Sequence, residues 1–314
     1  MHRAYRLSHK KQQGVVIVVA LFIVALVATM AYIMMSRLAR DTRQTTLILR
    51  NVQAENYAQG SIAWARDHLK NDFERQKPKQ MIDPVPIQSP IKEVDGYKIS
   101  SKIDDLQARF NLNNLTDAEA QRDFVRLIRA VSPAINQEQA QQLTRAIADW
   151  ITPITADNEF SKYYLSLSKP YRTAHRAMQS ITELRLVKGM TPALYQALEP
   201  FVAALPPPTL INLQTASAEV LMTLSPDMTL DTAKAIQQLQ KTALITSTEA
   251  FYNLDIVKNN HLPSNKLTAI SNYFLVQTEV TIENQRLLIY TLLERKTNGN
   301  QATVSILSQS KGTW

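Results

Sequence analysis

The sequence predicts an α+β protein. A long N-terminal transmembrane helix leads into a small antiparallel β-sheet head, which is interrupted by a large all-helical insertion with degenerate helix-hairpin-helix-like units. Three observations support this class. Residues 15–35 form an uncharged apolar run, strand-like alternation occurs at 97–112 and again from 272, and helical periodicity with capping residues fills the region between them.

The apolar run is long enough to cross a membrane, because a hydrocarbon core of about 30 Å requires about 20 helical residues. The alternative is a secretory signal peptide that is cut near residues 29–31. That alternative is disfavoured because the run exceeds the usual apolar region of a signal peptide and the small-residue cleavage pattern is poor. We therefore expect one membrane-spanning helix at 15–35.

The same helix is predicted to continue past the membrane surface to about Asn71, because apolar residues keep helical spacing and no proline occurs before Pro78. An amphipathic helix of this kind could pack on any globular domain. The apolar stripe consists of Leu47, Ala54, Ala58, Ile62, Ala65 and Leu69.

Strands and helix starts follow a proline-containing linker. Alternation predicts strands at 97–104, 108–112, 274–282, 287–293 and 302–307, the last two joined by the turn Asn298-Gly299-Asn300. Helix starts are predicted at capping boxes in 116–119 and 246–249, and at Thr191-Pro192, where threonine caps the helix and proline occupies its first position.

Composition excludes several classes of function. The formal charge is +8, but four positive charges, Arg3, Arg6, Lys10 and Lys11, lie in the first 14 residues, so the basic balance says little about a partner. The absence of cysteine removes disulfides and cysteine-based metal or redox sites. The six glycines form neither GxGxxG nor a P-loop, which argues against nucleotide chemistry.

Catalysis has little support in the sequence. The histidines are widely spaced, and neither HExxH nor Gly-x-Ser-x-Gly occurs. We interpret His175 as a packing or surface residue rather than a base. The five histidines are His2, His9, His68, His175 and His261.

The residues around Gly14 indicate how the N-terminus is processed. The segment Lys10-Lys11-Gln12-Gln13-Gly14, followed directly by Val15 and the apolar run, resembles the type III leader of pilins and pseudopilins. The resemblance implies that prepilin peptidase cuts between Gly14 and Val15, that Val15 is N-methylated, and that the leader is cytoplasmic. Most members carry Glu at the fifth mature position, where this chain has Val19, and that departure is typical of the K-type minor pseudopilins of type II secretion.

Six further segments resemble this K-type family in the family's order. They are 105–113, Ala148-Asp149-Trp150-Ile151, Tyr163-Tyr164-Leu165, Pro170-Tyr171-Arg172, 183–190, and 206–216 with its Pro206-Pro207-Pro208 and Ile211-Asn212-Leu213-Gln214-Thr215-Ala216. The resemblance covers nearly the whole chain.

The resemblance implies a structural protein and not an enzyme. It implies a single-pass protein of the bacterial inner membrane, with a periplasmic head that caps the pseudopilus tip and promotes its assembly. The expected partners are the I-type and J-type minor pseudopilins, other pseudopilins, the inner-membrane assembly platform, prepilin peptidase and membrane lipid. The expected boundaries are 1–14 for the leader, 15–35 and 36–72 for the transmembrane and periplasmic parts of the helix, 73–115 for the linker and first strands, 116–271 for the insertion, and 272–314 for the last strands.

The resemblance also implies calcium in the acidic loop after Trp150, with Asp149, Asp157, Asn158 and Glu159 as candidate oxygen ligands. The chain departs from the family pattern at Thr152-Pro153 and at Phe160-Ser161-Lys162. A solvated acidic loop without a metal is the alternative. No other cofactor is expected.

Two other functions remain as alternatives. The segments 183–190 and 221–233 resemble helix-hairpin-helix units, so a membrane-anchored competence or pilus protein that binds DNA is one. Nucleic acid is disfavoured because only Gly189 provides the glycine that a phosphate-binding hairpin needs. A membrane-anchored hydrolase is disfavoured by the lack of clustered catalytic residues.

Overall fold

The computed structural model describes residues 13–75, 86–154, 160–241, 248–299 and 301–313. The chain divides into two units, Met1–Asn56 and Tyr57–Trp314. Helix α1, Gln13–Arg75, begins in the first unit and ends in the second. It therefore ends close to the predicted position.

The first unit consists of the N-terminal part of α1. Its apolar side chains are exposed, including Val15, Phe22 and Met35. Among the described residues, one helix is long and apolar enough to cross a membrane, and none of its most apolar window is buried. An exposed apolar surface of this length is stable in lipid rather than in water.

The second unit contains a six-stranded antiparallel sheet. Its order is β1-β3-β8-β9-β10, and β2 pairs with the same strand, β3, as β1 does. These strands are β1 Ile87–Gln88, β2 Lys92–Val94, β3 Tyr97–Asp105, β8 Tyr273–Ile282, β9 Gln285–Asn298 and β10 Gln301–Lys311. The predictions of β3 and of the three C-terminal strands are confirmed, and the turn between β9 and β10 contains Gly299 at φ +59°.

Both faces of the sheet are buried within the second unit. On one face, Ala65 and Leu69 of α1 pack against a cluster that includes Ile103, Val276 and Leu293. The predicted apolar stripe of α1 is therefore buried from Ala54 to Leu69, whereas its first member, Leu47, is exposed. On the other face, Leu275 and Leu292 pack against Leu106, Ala203 and Leu205.

The chain between β3 and β8 forms the insertion, which has its own extensive core. Its longest helices are α2, α3 and α7, and a 3₁₀ turn, Ile181–Leu186, precedes α5. In chain order its elements are β4 Phe110–Asn111, α2 Ala118–Val131, α3 Gln137–Ile151, α4 Ser161–Leu165, α5 Pro192–Leu198, β5 Val202–Ala203, β6 Ile211–Asn212, α6 Ala218–Met222, α7 Leu230–Lys241, α8 Thr248–Tyr252, α9 Asp255–Lys258 and β7 Leu267–Thr268.

The expectation of an all-helical insertion was wrong in one respect. Two short parallel pairs, β4 with β5 and β6 with β7, occur among its helices. The strand predicted at 108–112 is reduced to β4, which pairs inside the insertion and not in the main sheet. These segments are buried, so their backbone groups need hydrogen-bond partners, and short strand pairs provide them.

One predicted helix cap is confirmed, one is wrong, and one lies partly outside the described residues. Thr191 caps α5 and Pro192 follows it, as predicted. The capping box at Thr116 was wrong, because Thr116 ends a 3₁₀ turn, and the carboxylate of Asp117 caps α2 by accepting from the Ala120 N–H at 2.8 Å. The box in 246–249 lies partly outside the described residues, and α8 begins at Thr248.

Candidate functional site

The predicted processing site lies at the beginning of α1. Gly14 and Val15 are both helical, and the Val15 side chain is 65% exposed. Val19, at the position where most pilins carry Glu, is also exposed. The apolar run from Val15 therefore offers no carboxylate to a neighbouring subunit.

A buried carboxylate joins the sheet to the insertion. Asp105, the last residue of β3, is 4% exposed. Its carboxylate accepts hydrogen bonds from the Gln107 N–H at 2.8 Å, Asn212 Nδ2 at 3.0 Å, the Ser271 hydroxyl at 2.6 Å and the Thr215 hydroxyl. Burial raises the pKa of Asp105, and these hydrogen bonds oppose the rise. The carboxylate thus fixes the segments that leave and re-enter the sheet.

A buried arginine connects the same place to α1. Arg295 of β9 is 1% exposed, and its Nη1 donates to the Leu69 carbonyl at 3.1 Å. Its Nη2 donates to the Ser271 carbonyl at 2.7 Å, and the guanidinium lies 4.9 Å from the ring centre of Phe274. We call Asp105, Asn212, Thr215, Ser271 and Arg295 the polar junction. It links the end of the pilin-like helix, the sheet and the insertion.

The sequence analysis did not identify the polar junction, although one signal was present. Along β9 the inward-facing positions are Ile289, Thr291, Leu293 and Arg295. A charged residue on the buried face of a strand requires a partner, so Arg295 could have been singled out from its register. Asp105 and Asn212 lie in the family-like segments 105–113 and 206–216, but no local pattern predicts that they meet each other and Ser271.

Three of the family-like segments meet in an aromatic cluster. The ring centres of Trp150 and Tyr164 are 5.5 Å apart, and those of Tyr164 and Tyr171 are 5.4 Å apart. The Tyr171 hydroxyl donates to the Leu186 carbonyl at 2.6 Å, and the Tyr164 hydroxyl accepts from the Lys188 N–H at 3.0 Å. Burial raises the pKa of Tyr164 to about 12. These residues therefore pack against one another and tie their segments to the backbone of residues 183–190.

The predicted calcium ligands are only partly described. Asp149 lies in α3 and is half-buried, whereas Asp157, Asn158 and Glu159 lie outside the described residues. In the described part of the chain, no group of three or more His, Asp or Glu side chains is placed to hold a metal ion.

The first helix-hairpin-helix-like unit is occupied by packing contacts. Gly189 has φ +86°, and the Leu143 side chain lies 3.9 Å from the position a Cβ would take. The adjacent Lys188 N–H is bonded to Tyr164, so it does not face a phosphate. In the second helix-hairpin-helix-like segment, 221–233, Leu221 and Ala233 are fully buried in the core. Both observations support the interpretation of these units as scaffolds.

His175 is half-buried, as a packing residue would be. Its Nδ1 lies 3.0 Å from the Thr152 carbonyl, and its Nε2 contacts the Thr173 hydroxyl. Both ring nitrogens are thus engaged by the segments around them.

A long N-terminal helix, apolar in its first part and packed on an antiparallel sheet in its last part, defines a pilin-like subunit. Two family models of type II secretion system protein K match residues 108–207 and 211–271. The chain belongs to this family and is a minor pseudopilin of type II secretion, a structural component of that machinery.

Relatives from three bacteria support the assignment, and each is a type II secretion system protein K. The Klebsiella pneumoniae protein is 30% identical over 307 residues, which covers 91% of this chain and 93% of the relative. The Aeromonas hydrophila protein is 33% identical over 237 residues, covering 68% and 70%. The Pseudomonas aeruginosa protein is 27% identical over 325 residues, covering 96% and 93%.

A solved structure has the same fold. It is a chain in the crystal structure of the GspK-GspI-GspJ complex from the enterotoxigenic Escherichia coli type 2 secretion system, with a TM-score of 0.67 and 20% identity. The match covers 86% of this chain and 100% of that chain.

Proposed function

We propose that this chain caps the tip of the pseudopilus and promotes its assembly, while folded proteins are exported from the periplasm across the outer membrane. The observation that carries the proposal is the insertion, which lies between β3 and β8 although these strands are neighbours in the sheet. It has its own core and enlarges the head. A head of this bulk is hard to repeat along a helical fibre, whereas the end of a fibre imposes no such limit.

The apolar run provides a second argument. Inside a fibre, an N-terminal ammonium in an apolar bundle is costly unless a carboxylate neutralises it. Val19 provides no such carboxylate. A subunit at the tip has no preceding subunit whose ammonium it must neutralise. The chain therefore acts as a structural cap and carries out no reaction itself.

The partners follow from the tip position. The chain assembles with the I-type and J-type minor pseudopilins, and through α1 with other pseudopilins, the inner-membrane assembly platform and membrane lipid. The similar solved chain belongs to a GspK-GspI-GspJ complex, which supports the first two partners.

Co-expression of the full-length chain with I-type and J-type pseudopilins tests the assembly. We expect a single 1:1:1 complex in nonionic detergent, and no fibre from this chain alone. Gold labels should lie at the ends of pseudopili. Labels repeated along the fibres would refute the tip position without affecting the family assignment.

We place the N-terminus in the cytoplasm and the head in the periplasm, with prepilin peptidase cutting between Gly14 and Val15 and Val15 N-methylated. The Gly14→Leu chain should remain full-length in the membrane, as measured by intact mass. Gly60→Leu is the matched control, because open space surrounds that position. Normal cutting of Gly14→Leu, or a mature N-terminus elsewhere, contradicts this processing.

We also propose calcium in the acidic loop, held by Asp149, Asp157, Asn158 and Glu159. The support is the chemistry of the donor set, since carboxylate and amide oxygens are the ligands that calcium prefers. When bound, calcium would offset the mutual repulsion of the carboxylates and stabilise the loop.

Calcium at 100 times its dissociation constant should stabilise the folded chain by about 2.7 kcal/mol relative to a chelator, measured by thermal unfolding. Asp157→Ala/Glu159→Ala should abolish the difference. Asp227→Ala/Asp231→Ala, which removes two exposed acidic residues of the same insertion, should preserve it. If the unmodified chain has the same melting temperature with calcium and with chelator, the calcium site is refuted.

A further inference from the structure

The insertion carries a cationic groove between two of its helices. The groove has a volume of about 590 Å³ and lies between α2 and α3. Its arginines are Arg122, Arg126 and Arg145, and the described residues that line it include no carboxylate. The remaining polar lining comes from Gln121, Gln137, Gln141 and Thr144.

One of the three arginines is fixed. Arg126 Nη2 lies 2.5 Å from the carboxylate of Asp123, which is 3% exposed, and its Nε donates to the Thr223 carbonyl at 2.9 Å. Asp123 also holds Lys266, which in turn pairs with Glu119 at 2.8 Å. These two acidic and two basic side chains balance each other's charge, and they hold Arg126 in a single position at the groove.

The other two arginines have no such balance. Arg122 and Arg145 are exposed, and within the described ranges neither makes an ion pair or a side-chain hydrogen bond. The groove therefore has an excess of two positive charges. Guanidinium groups recognise carboxylates through paired, charge-assisted hydrogen bonds, so an anionic ligand would complete this surface.

The positions of the two unbalanced arginines select the form of the ligand. Arg122 belongs to α2 and Arg145 to α3, so a ligand that pairs with both must span the groove and carry more than one carboxylate. In an extended peptide, alternate side chains lie on the same side about 6.6 Å apart. Carboxylates on alternate residues of such a peptide therefore all face the groove. Gln121 already donates to the Leu115 carbonyl and Gln137 accepts from Arg129, but each amide keeps a further donor or acceptor atom that a peptide backbone could use.

We propose that the groove between α2 and α3 binds an extended acidic segment of another protein, with carboxylates on alternate residues. Phosphates along a nucleic-acid strand present a similar charge pattern. The periplasmic location of the head, which rests on the proposed function, favours the peptide.

The test uses the full-length chain in nonionic detergent and a short fluorescein-labelled peptide of alternating Glu and Ser, at about 50 mM salt and again at about 0.15 M, where screening is stronger. Fluorescence anisotropy should show binding that weakens with salt, and no comparable binding of a peptide with Gln in place of Glu. Arg122→Gln/Arg145→Gln should weaken binding of the Glu peptide about tenfold or more, because two charge-assisted contacts are lost.

A matched control removes the same charge elsewhere. Arg172 and Arg176 are exposed residues of the same insertion, and Arg172→Gln/Arg176→Gln should change the affinity less than about twofold if two exposed charges act only through screened long-range effects. The proposal is overturned if both double variants lose the same affinity for the Glu peptide, or if Arg122→Gln/Arg145→Gln has no effect on it. It is also overturned if the unmodified chain binds the Glu and Gln peptides equally well. Tighter, groove-dependent binding of duplex DNA also overturns it, in favour of nucleic acid.

Failure here is distinguishable from failure of the proposed function. Arg122→Gln/Arg145→Gln leaves the processing site and α1 unchanged, so N-terminal cutting and assembly with the I-type and J-type pseudopilins report on the cap independently. An unchanged melting temperature of this variant confirms that it is folded.

Discussion

Removing the carboxylate of the polar junction should destabilise the second unit more than removing its neighbour on the same strand. In Asp105→Ala, the Gln107 N–H and the hydroxyls of Thr215 and Ser271 lose the carboxylate that accepts their hydrogen bonds, whereas Asn212 keeps its 2.7 Å hydrogen bond to Ser271. Each buried donor left without an acceptor costs about 1–3 kcal/mol. The expected loss in the free energy of unfolding is therefore about 3–4 kcal/mol.

Asp104→Ala is the matched control. Asp104 pairs with Lys102 at 2.9 Å, and the Lys102 side chain is 41% exposed. A pair near the surface contributes about 0–1 kcal/mol, so this variant should unfold almost as the unmodified chain does. The assay is urea unfolding of full-length chains in detergent, followed by the fluorescence of Trp64 near the sheet and of Trp150 in the insertion, in separate chains with one tryptophan each.

The two tryptophans distinguish a local from a shared effect. If the junction holds the insertion on the sheet, Asp105→Ala should separate the Trp150 transition from the Trp64 transition. A loss below about 1 kcal/mol, or an equal loss in Asp104→Ala, would refute the energetic role assigned to the buried hydrogen bonds.

The pH dependence of the same site has a defined sign. Burial raises the pKa of Asp105 in the folded chain, so the folded state binds this proton more tightly than the unfolded state. The stabilisation that comes from protonating Asp105 is fully present below the ordinary aspartate pKa of about 3.9. It is lost as the pH rises through the raised pKa of Asp105 in the folded chain. The advantage of the unmodified chain over Asp105→Asn should therefore grow as the pH falls from 7 to 4. A difference that shrinks over this range contradicts the raised pKa.

Two further pairs of substitutions test the fold. Arg295→Met should lower the free energy of unfolding by about 2–3 kcal/mol, because it leaves the Leu69 and Ser271 carbonyls without their charged donor. Replacing the exposed Arg286 on the same strand, Arg286→Met, should cost less than about 1 kcal/mol. Equal urea midpoints would contradict the difference. Asp117→Ala should cost about 1 kcal/mol through loss of the cap on α2, and Thr116→Ala less than about 0.5 kcal/mol. A larger effect at Thr116, measured by the same urea unfolding, would restore the sequence-based placement of the cap.

Periodic elements were predictable because their signal is local. A strand that alternates, such as β8, or a helix with a continuous apolar stripe, such as α1, shows its buried face in its own sequence. Ala58, Ile62 and Leu69 were assigned to that face correctly. Capping was less predictable, because adjacent Thr116 and Asp117 can both cap a helix, and the preceding 3₁₀ turn decides between them.

The polar junction and the short parallel pairs were not predictable in this way. Asp105 meets Asn212 and Ser271 only after the insertion has folded. The pair β6 with β7 joins residues separated by the helices α6 to α9. Contacts of this kind have no period in the sequence, and the candidate calcium ligands beyond Asp149 lie outside the described residues.

The register of the sheet explains why an insertion of this size is tolerated. Asp105 at the end of β3 lies opposite Phe274 near the beginning of β8, so the insertion begins and ends at neighbouring points, where a short hairpin loop would suffice. The entropic cost of closing a loop grows only slowly with its length, and the helices of the insertion bury their own core. The remaining requirement is that the segments that leave the sheet after β3 and re-enter it before β8 stay together. One buried carboxylate bonded to Ser271 and Asn212, with Arg295 bonded to the Ser271 carbonyl, meets that requirement and transmits the position of α1 to the insertion.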